Sequence, residues 1–387
     1  MKRYIKTLAL LILVACSSHA WGGMPPISVS TLNMLKESFK TNQNNTVISG
    51  LSVDFATDML ANGTTGKSLV QLTKFLGNSV ENKNKELQGK LKNLPQTLEI
   101  SNSIWGNQFK QSFKTLLENI LNVSTNPLPS NTSTINAWIS EKTHNKIPSV
   151  LEPEKTDPYD LYLVNTVYFK DSWADQFEKI NTQKEEFHTI SGINKEVSMM
   201  HKTSKILYAE NDKLQSIKLP FRMGGYMTIF LPKETELSVP ETAKVFLRRS
   251  TNSPDKFATF MNDLTLSDLD LVYTSQKVIV SLPKFKIDKE TNVKKLFESF
   301  GITEIFKEDN RDLGAMTPLG AYVKDIMQRA VIEVEEEGTT AAAATVVHAK
   351  AKGIGRRESV IRFTANRPFL FFVDQGDFIG IYTGEEK

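Results

Sequence analysis

The chain of 387 residues is 40% apolar and 24% charged, a balance that excludes a disordered or low-complexity tail and allows a large buried core. Its 47 basic and 44 acidic side chains leave a net charge of +3, too little for the electrostatic footprint of a dedicated nucleic-acid binder. One cysteine, Cys16, excludes an internal disulfide and a zinc cluster built on thiolates.

Residues 1–20 have the layout of an export leader: Lys2, Arg3 and Lys6 are basic, Leu8 to Ala15 form an apolar run too short to span a bilayer, and small residues follow. Leu13-Val14-Ala15-Cys16 resembles a bacterial lipobox, which would lipidate Cys16 and leave an envelope lipoprotein. Cleavage after Ser18-His19-Ala20 would instead release a secreted, cysteine-free protein. A membrane enters only through that lipid, since no later stretch is long and apolar enough to cross one.

Beyond the leader, Leu32, Leu35 and Phe39 recur at helical spacing. Leu51 to Leu60 and Leu69 to Leu76 predict two more helices, broken at Gly63 and Gly66, and Ser133 to Val150 predicts a fourth with Pro148 near its end. Leu161 to Phe169 has the profile of a strand buried on both faces. Strands are also expected at Gln215 to Pro220, Tyr226 to Leu231, Lys277 to Leu282, Val331 to Glu335 and Phe369 to Val373. Helices thus dominate the first 150 residues and strands the remainder. No repeat and no Gly, Ser or Pro linker divides the chain, so residues 21–387 are expected to form one α+β domain.

Enzyme signatures are lacking. Ala61 to Ser68 approximates a phosphate loop, but a helical pattern precedes it where the motif needs a strand. The five histidines, His19, His144, His188, His201 and His348, have no metal-ligand spacing. No G-x-S-x-G elbow occurs, and the lone cysteine lies in the leader. Three adjacent acids, Glu335 to Glu337, have the look of a solvated turn. No catalytic residue, metal or cofactor is assigned.

The segment Glu336 to Lys352 is unusual. Taken as a strand, it puts Thr339, Ala341, Ala343, Thr345, Val347, Ala349 and Ala351 on one face, all small or medium and uncharged. The other face carries Thr340, Ala342, Ala344, Val346, His348, Lys350 and Lys352. The first face could be buried without carrying charge into a core, and its small residues suit a gap between strands already packed. Gly338 supplies a permissive pivot.

These residues resemble the serpin family over nearly the whole chain after the leader. Glu333 to Thr345 is similar to the family's reactive-loop hinge, with Glu336, Glu337, Gly338, Thr339, Thr340 and Ala341, Ala342, Ala343 and Ala344 at its centre. Leu163 to Lys170, with Trp173 and Phe177, resembles the long central-sheet strand and the segment after it; Asn45 to Ser52 resembles the shutter segment. Leu282-Pro283-Lys284-Phe285, Phe300-Gly301-Ile302 and Asn366 to Phe371 match in order.

The resemblance implies helices packed on three β-sheets with an exposed reactive-centre loop at about 338–362. It implies an inhibitor, not an enzyme: a serine protease, or sometimes a cysteine protease, attacks the loop, and the cut loop enters the central sheet before the acyl-enzyme is hydrolysed. A non-inhibitory member, a carrier, chaperone or binding module whose loop is only cleaved, is the alternative, against which the uncharged face argues. The family's spacing places the reactive bond at Lys352-Gly353 and implies a trypsin-like target; Arg356, Arg357 and Lys350 are the other basic candidates. The resemblance also implies a monomer, a breach in which Glu336 pairs with Lys284 near Trp173, and a hydrogen-bonded shutter of Ser49, Ser52 and Asn165. The sequence departs from the pattern where Gln328 replaces the shutter histidine, Gly50 a proline, and Asn145 a helix-end glycine.

Overall fold

The computed structural model describes residues 27–233, 254–338 and 360–385, apart from 96, 144, 146, 170, 375 and 376. Helix α1 (Val29–Asn42) starts where the Ser28 hydroxyl accepts the Thr31 N–H at 3.0 Å, and Leu32, Leu35 and Phe39 bury one face of it. Strand β1 (Thr46–Ser49) runs straight into α2 (Gly50–Gly63), capped by the Ser49 hydroxyl, which accepts the Ser52 N–H at 3.2 Å. Gly50 donates its own N–H to the Asp377 carbonyl at 3.0 Å, a bond that a proline here could not make. Helix α3 (Gly66–Leu76) follows. Asp312 accepts from Thr65 N through its carbonyl and from Ser68 N through its carboxylate, both at 2.8 Å. The helix-start amides that a phosphate loop would offer are thus partly taken from within the fold.

Helix α4 (Val80–Lys92) packs on α2. A strand not foreseen from the sequence, β2 (Leu98–Gly106), comes next, then α5 (Gln111–Leu116) with a π-helical turn, β3 (Ser124–Pro127) and α6 (Ser133–Lys142). The helix expected to reach Val150 ends at Lys142. Asn136 causes the return: its Oδ1 accepts from Val150 N and Leu151 N at 2.9 and 3.0 Å, and its Nδ2 donates to Leu151 O at 2.7 Å. Asn145, at φ +59°, supplies the left-handed turn.

The remaining strands are β4 (Asp160–Phe169), β5 (Gln183–His188), β6 (Asn194–Glu210), β7 (Leu214–Pro220) and β8 (Tyr226–Pro232). Helices α7 (Pro254–Asp263) and α8 (Leu266–Leu269) lead to β9 (Thr274–Pro283), β10 (Phe285–Asn292), α9 (Val293–Ser299) and β11 (Tyr322–Val334). The chain closes with β12 (Ile361–Thr364), β13 (Phe369–Val373) and β14 (Phe378–Tyr382). β11 begins nine residues before the expected Val331 because Asp325, Gln328 and Arg329 interrupt its apolar pattern.

Hydrogen bonding joins these strands into two networks. One has the order β1-β14-β13-β8-β7-β6-β9-β12, with β5 also on β6. Its 17-residue strand β6 bonds to β5, β9 and β7 at successive positions, so two sheet surfaces share one ladder. The other has the order β10-β11-β4-β2-β3. In it β11 and β4 run parallel and pair directly from Tyr322↔Asp160 to Val331↔Tyr168. One face of this sheet carries Val334, Ile332 and Ala330 into the core beneath. The other presents Met327 and Val331 to Ile135 and Ile139 of α6. Coverage on both sides explains why β4 reads as a continuous apolar run.

Candidate functional site

Two polar clusters lie along the β11·β4 seam. At the upper end the chain leaves β11 at Val334 and folds tightly, with Glu335 and Gly338 bridged and Gly338 N donating to Glu335 O at 3.1 Å. Gly338 has φ +97°, and a Cβ there would lie 2.5 Å from Ser172 Cα and Trp173 N. Only glycine fits both the angle and the space.

The turn is held from the segment that follows β4. Trp173 Nε1 donates to Glu335 O at 2.8 Å, Trp173 N to Glu337 O at 3.1 Å and Phe177 N to Glu336 O at 2.9 Å. The indole stacks on Phe221, with ring centroids 4.9 Å apart. Glu336 is only 5% exposed, so this acid run is not a solvated turn. Its carboxylate lies 2.8 Å from Lys284 Nζ and accepts from the Thr182 hydroxyl at 2.8 Å. Burial opposes the charge of Glu336, but the bonds from Lys284, a backbone amide and Thr182 outweigh it and hold the carboxyl below its ordinary range. Burial likewise opposes the Lys284 charge, while Glu336 and Glu335 together raise that ammonium. Glu337 reaches Lys179 at 2.7 Å. The structure therefore brings Trp173, Lys284 and Glu336 together. Thr182 and Lys179 were missed, since nothing in the sequence links them to a turn some 155 residues away.

Lower on the seam, Gln328 is 1% exposed. Its amide clasps the Ser49 peptide: Ser49 N donates to Oε1 and Nε2 donates to Ser49 O, both at 3.0 Å. A glutamine can make this two-way pairing with no charge change near neutral pH, which a histidine in its place would undergo. Asn165, paired with Gln328 across the parallel ladder, does not join the serines. Its Nδ2 donates to Asn102 Oδ1 on β2 instead. Among the described residues, Asn165 Oδ1 and Ser52 Oγ are buried without a hydrogen-bond partner. The expected shutter is thus a Ser49–Gln328 clasp beside a separate Asn102–Asn165 pair. Asn102 could not be found from sequence, because its role depends on the register of β2 on β4.

Cys16, Thr339 to Ala344, Lys350, Lys352, Gly353, Arg356 and Arg357 lie outside the described residues.

The family model described as Serpin (serine protease inhibitor) matches residues 28–379. Among curated proteins, Serpin B11 of Mus musculus is 28% identical, covering 90% of this chain and 96% of its own length. Antithrombin-III of Ovis aries is 29% identical over 86% of this chain and 74% of its own. Among solved structures, the thermophilic serpin tengpin in its native state gives a TM-score of 0.72 at 28% identity, over 92% of this chain and 93% of that one. Arabidopsis AtSerpin1 in a native stressed conformation gives 0.74 at 25%, over 92% and 95%.

Proposed function

Since the chain belongs to the serpin family, whose members are in general serine protease inhibitors rather than catalysts, we propose that it inhibits trypsin-like serine proteases as a suicide substrate cut at Lys352-Gly353. After the cut, the segment beyond Gly338 enters the β11·β4 seam as a new strand, the serpin case of strand addition to a sheet. One observation carries the reading. The Glu335–Gly338 bridge aims the chain back along β11 in a defined antiparallel register. Continued downward, that register sets Thr339 opposite Val334, Ala341 opposite Ile332, Ala343 opposite Ala330 and Thr345 opposite Gln328. Directly opposed residues share a face, and this one lies over the core. The uncharged side of the segment would therefore be the side buried.

The parallel pairing supplies the thermodynamic sense. A strand running opposite to both β11 and β4 would replace one parallel ladder by two antiparallel ones, which are the more stable per residue. Thr345 would also arrive beside Asn165, whose Oδ1 has no hydrogen-bond partner among the described residues. Residues 1–20 we take as an export leader, with lipidation at Cys16 or release after Ala20.

Incubation with trypsin tests the reading. A denaturant-resistant covalent band near the summed mass, with the loop fragment beginning at Gly353, is expected. Complete cleavage with no such band would overturn inhibition in favour of a loop that is only cut.

A further inference from the structure

The lower end of the β11·β4 seam is lined by acid. Asp160 opens β4 opposite Tyr322 of β11, and Asp325 pairs with Tyr162, the register shifting between Val323 and Asp325. Tyr162, Val164 and Met327 pack with Ile135 and Ile139 of α6, and residues two apart on a strand share a face, so Asp160 and Asp325 lie on the α6 side. The Tyr162 hydroxyl is 3.0 Å from Glu154 Oε1 and 3.3 Å from Asp160 Oδ2, one proton between two carboxyls. Asp157 N also donates to Asp160 Oδ2, at 2.9 Å. Asp160 Oδ1, on a residue only 2% exposed, is buried with no hydrogen-bond partner among the described residues. Asp325 Oδ1 accepts from Ile326 N at 2.8 Å and Asn292 Nδ2 at 3.2 Å. Burial, with Glu154 adding to it, pushes the Asp325 carboxyl up against the pull of Ile326 N, Lys294 and Asn292. Lys294 donates to Lys324 O at 3.1 Å. Among the described residues, no lysine or arginine forms an ion pair with Glu154, Asp160 or Asp325. A buried carboxyl oxygen without a partner raises the free energy of the state that holds it.

We propose that Asp160 and Asp325 form an acidic landing site for this chain's own Lys350 and His348, filled only after the loop is cut. The proposal rests on the inhibitor reading above and on the register derived there. Thr345, set opposite Gln328, is opposite Asn165 as well, because those two residues pair directly. Three positions further His348 stands between Asp325 and Tyr162, and two beyond that Lys350 stands between Tyr322 and Asp160. Both basic side chains then point to the α6 side, where the acids are. Opposite charges on directly opposed residues of neighbouring strands stabilise a sheet, and the Lys350 ammonium brings a donor to an oxygen that has none. His348 can donate to Asp325 whether or not its ring is charged. Lys352 would lie two residues past Asp160, beyond the first residue of both strands, so an enzyme acylated there clears the seam. Recognition by a trypsin-like enzyme calls for a basic residue at the scissile bond alone and does not account for His348 and Lys350. Their place in the segment matches the depth at which the acids lie.

The full chain, Lys350→Met, Asp160→Asn, their double variant and Lys350→Glu are each cut with trypsin, and the loop fragment is sequenced. Melting of the cut and uncut forms is then followed at one fixed concentration of guanidinium chloride. Lys350→Met should lower the melting temperature of the cut form by roughly 3 °C and leave the uncut form unchanged. Lys350→Glu should lower the cut form further and weaken the covalent band. Asp160→Asn also alters the uncut fold, so its uncut form supplies the baseline. Beyond that baseline the double variant should lose no more than the worse single one, as expected for two residues that act as a pair. Strictly additive losses, equal shifts in cut and uncut forms, or a cut Lys350→Glu form as stable as the parent's would each overturn the proposal. So would a fragment beginning at Ala351, which makes Lys350 the acylated residue. In all of these a parent that still gives the covalent band, and melts much higher once cut, leaves the inhibitor reading standing. A parent that gives neither band nor gain removes the inhibitor reading, and the landing site with it.

Discussion

Asp58→Asn is expected to make the protein more stable at pH 8 and to flatten the dependence of its stability on pH. Asp54, Asp58 and Asn62 recur at four-residue intervals on α2, which α4 covers. Asp58 is 0% exposed, and neither carboxylate oxygen has a hydrogen-bond partner. Lys83 is committed to Asp54 at 2.9 Å and to Glu86 at 3.2 Å. Asn62 donates to the Asp58 carbonyl at 2.8 Å and to Asn84 at 2.9 Å. Further out, Lys90 lies 3.1 Å from Asp377 and 3.6 Å from Glu86.

Four carboxyls thus share two ammonium groups. Burial, with Asp54 and Glu86 adding to it and Lys83 and Asn62 opposing, pushes Asp58 up to about 7 from an ordinary 3.8. The folded protein therefore holds a proton that the unfolded chain has released, and stability declines as pH rises from about 4 to about 7, then levels off. The full shift corresponds to a ceiling of roughly 4 kcal/mol, and coupling within the cluster makes about 2 kcal/mol the working figure.

Urea unfolding of the uncleaved protein at pH 5 and pH 8 measures it. The parent should lose about 2 kcal/mol between them, and Asp58→Asn less than half of that. Some slope remains in the variant because burial also raises Asp54 and Asp377. An undiminished slope, or a variant weaker than the parent at pH 8, would refute the reasoning.

Glu336→Gln should cost roughly 2 kcal/mol at pH 7, read from the urea midpoint, because it strips Lys284 of its partner at a largely buried contact. Since the Glu336 carboxyl is held below its ordinary 4.5, that difference should be fully present above about 4.5 and fade as pH falls through the depressed value. Thr339→Arg should leave cleavage by trypsin intact but remove the covalent band, since the first residue to enter the seam would bury a charge; a band of undiminished yield would count against insertion. Thr345→Val should lower the melting temperature of the cleaved form, by about 1 kcal/mol in stability terms, while leaving the uncleaved form unchanged; equal effects on both would show that Asn165 is not its partner.

Legibility in the sequence followed the range of the interactions involved. The apolar run of β4 was readable because it follows from its own residues' composition, whereas the alternating face expected after Gly338 lies outside the described residues. The early termination of α6 was not, since Asn136 acts on amides 14 and 15 positions later, and an asparagine on a helix advertises nothing of the kind. The acid run was misjudged as solvated for a similar reason: what desolvates Glu336 is Lys284 and Thr182, brought in from elsewhere. Family spacing anticipated the Lys284 contact, whereas the separation of Asn165 from the serines required the β2–β4 register. The cluster around Asp58 was not anticipated, because its surplus of acid emerges only when α4 adds Glu86 and the β13–β14 turn adds Asp377.

The placement of side-chain amides at mid-height of the central sheet bears on how it could be unzipped. Gln328 is moored to the start of α2, and Asn165 to its outer neighbour β2, so the two halves keep their allegiances on opposite flanks. Drawing them apart would sacrifice main-chain ladder bonds while leaving both amide attachments untouched. The resistance to parting at this level would then reside in the backbone and in apolar cohesion, and the half bearing β10 and β11 would stay with the body as β4, β2 and β3 slid outward together.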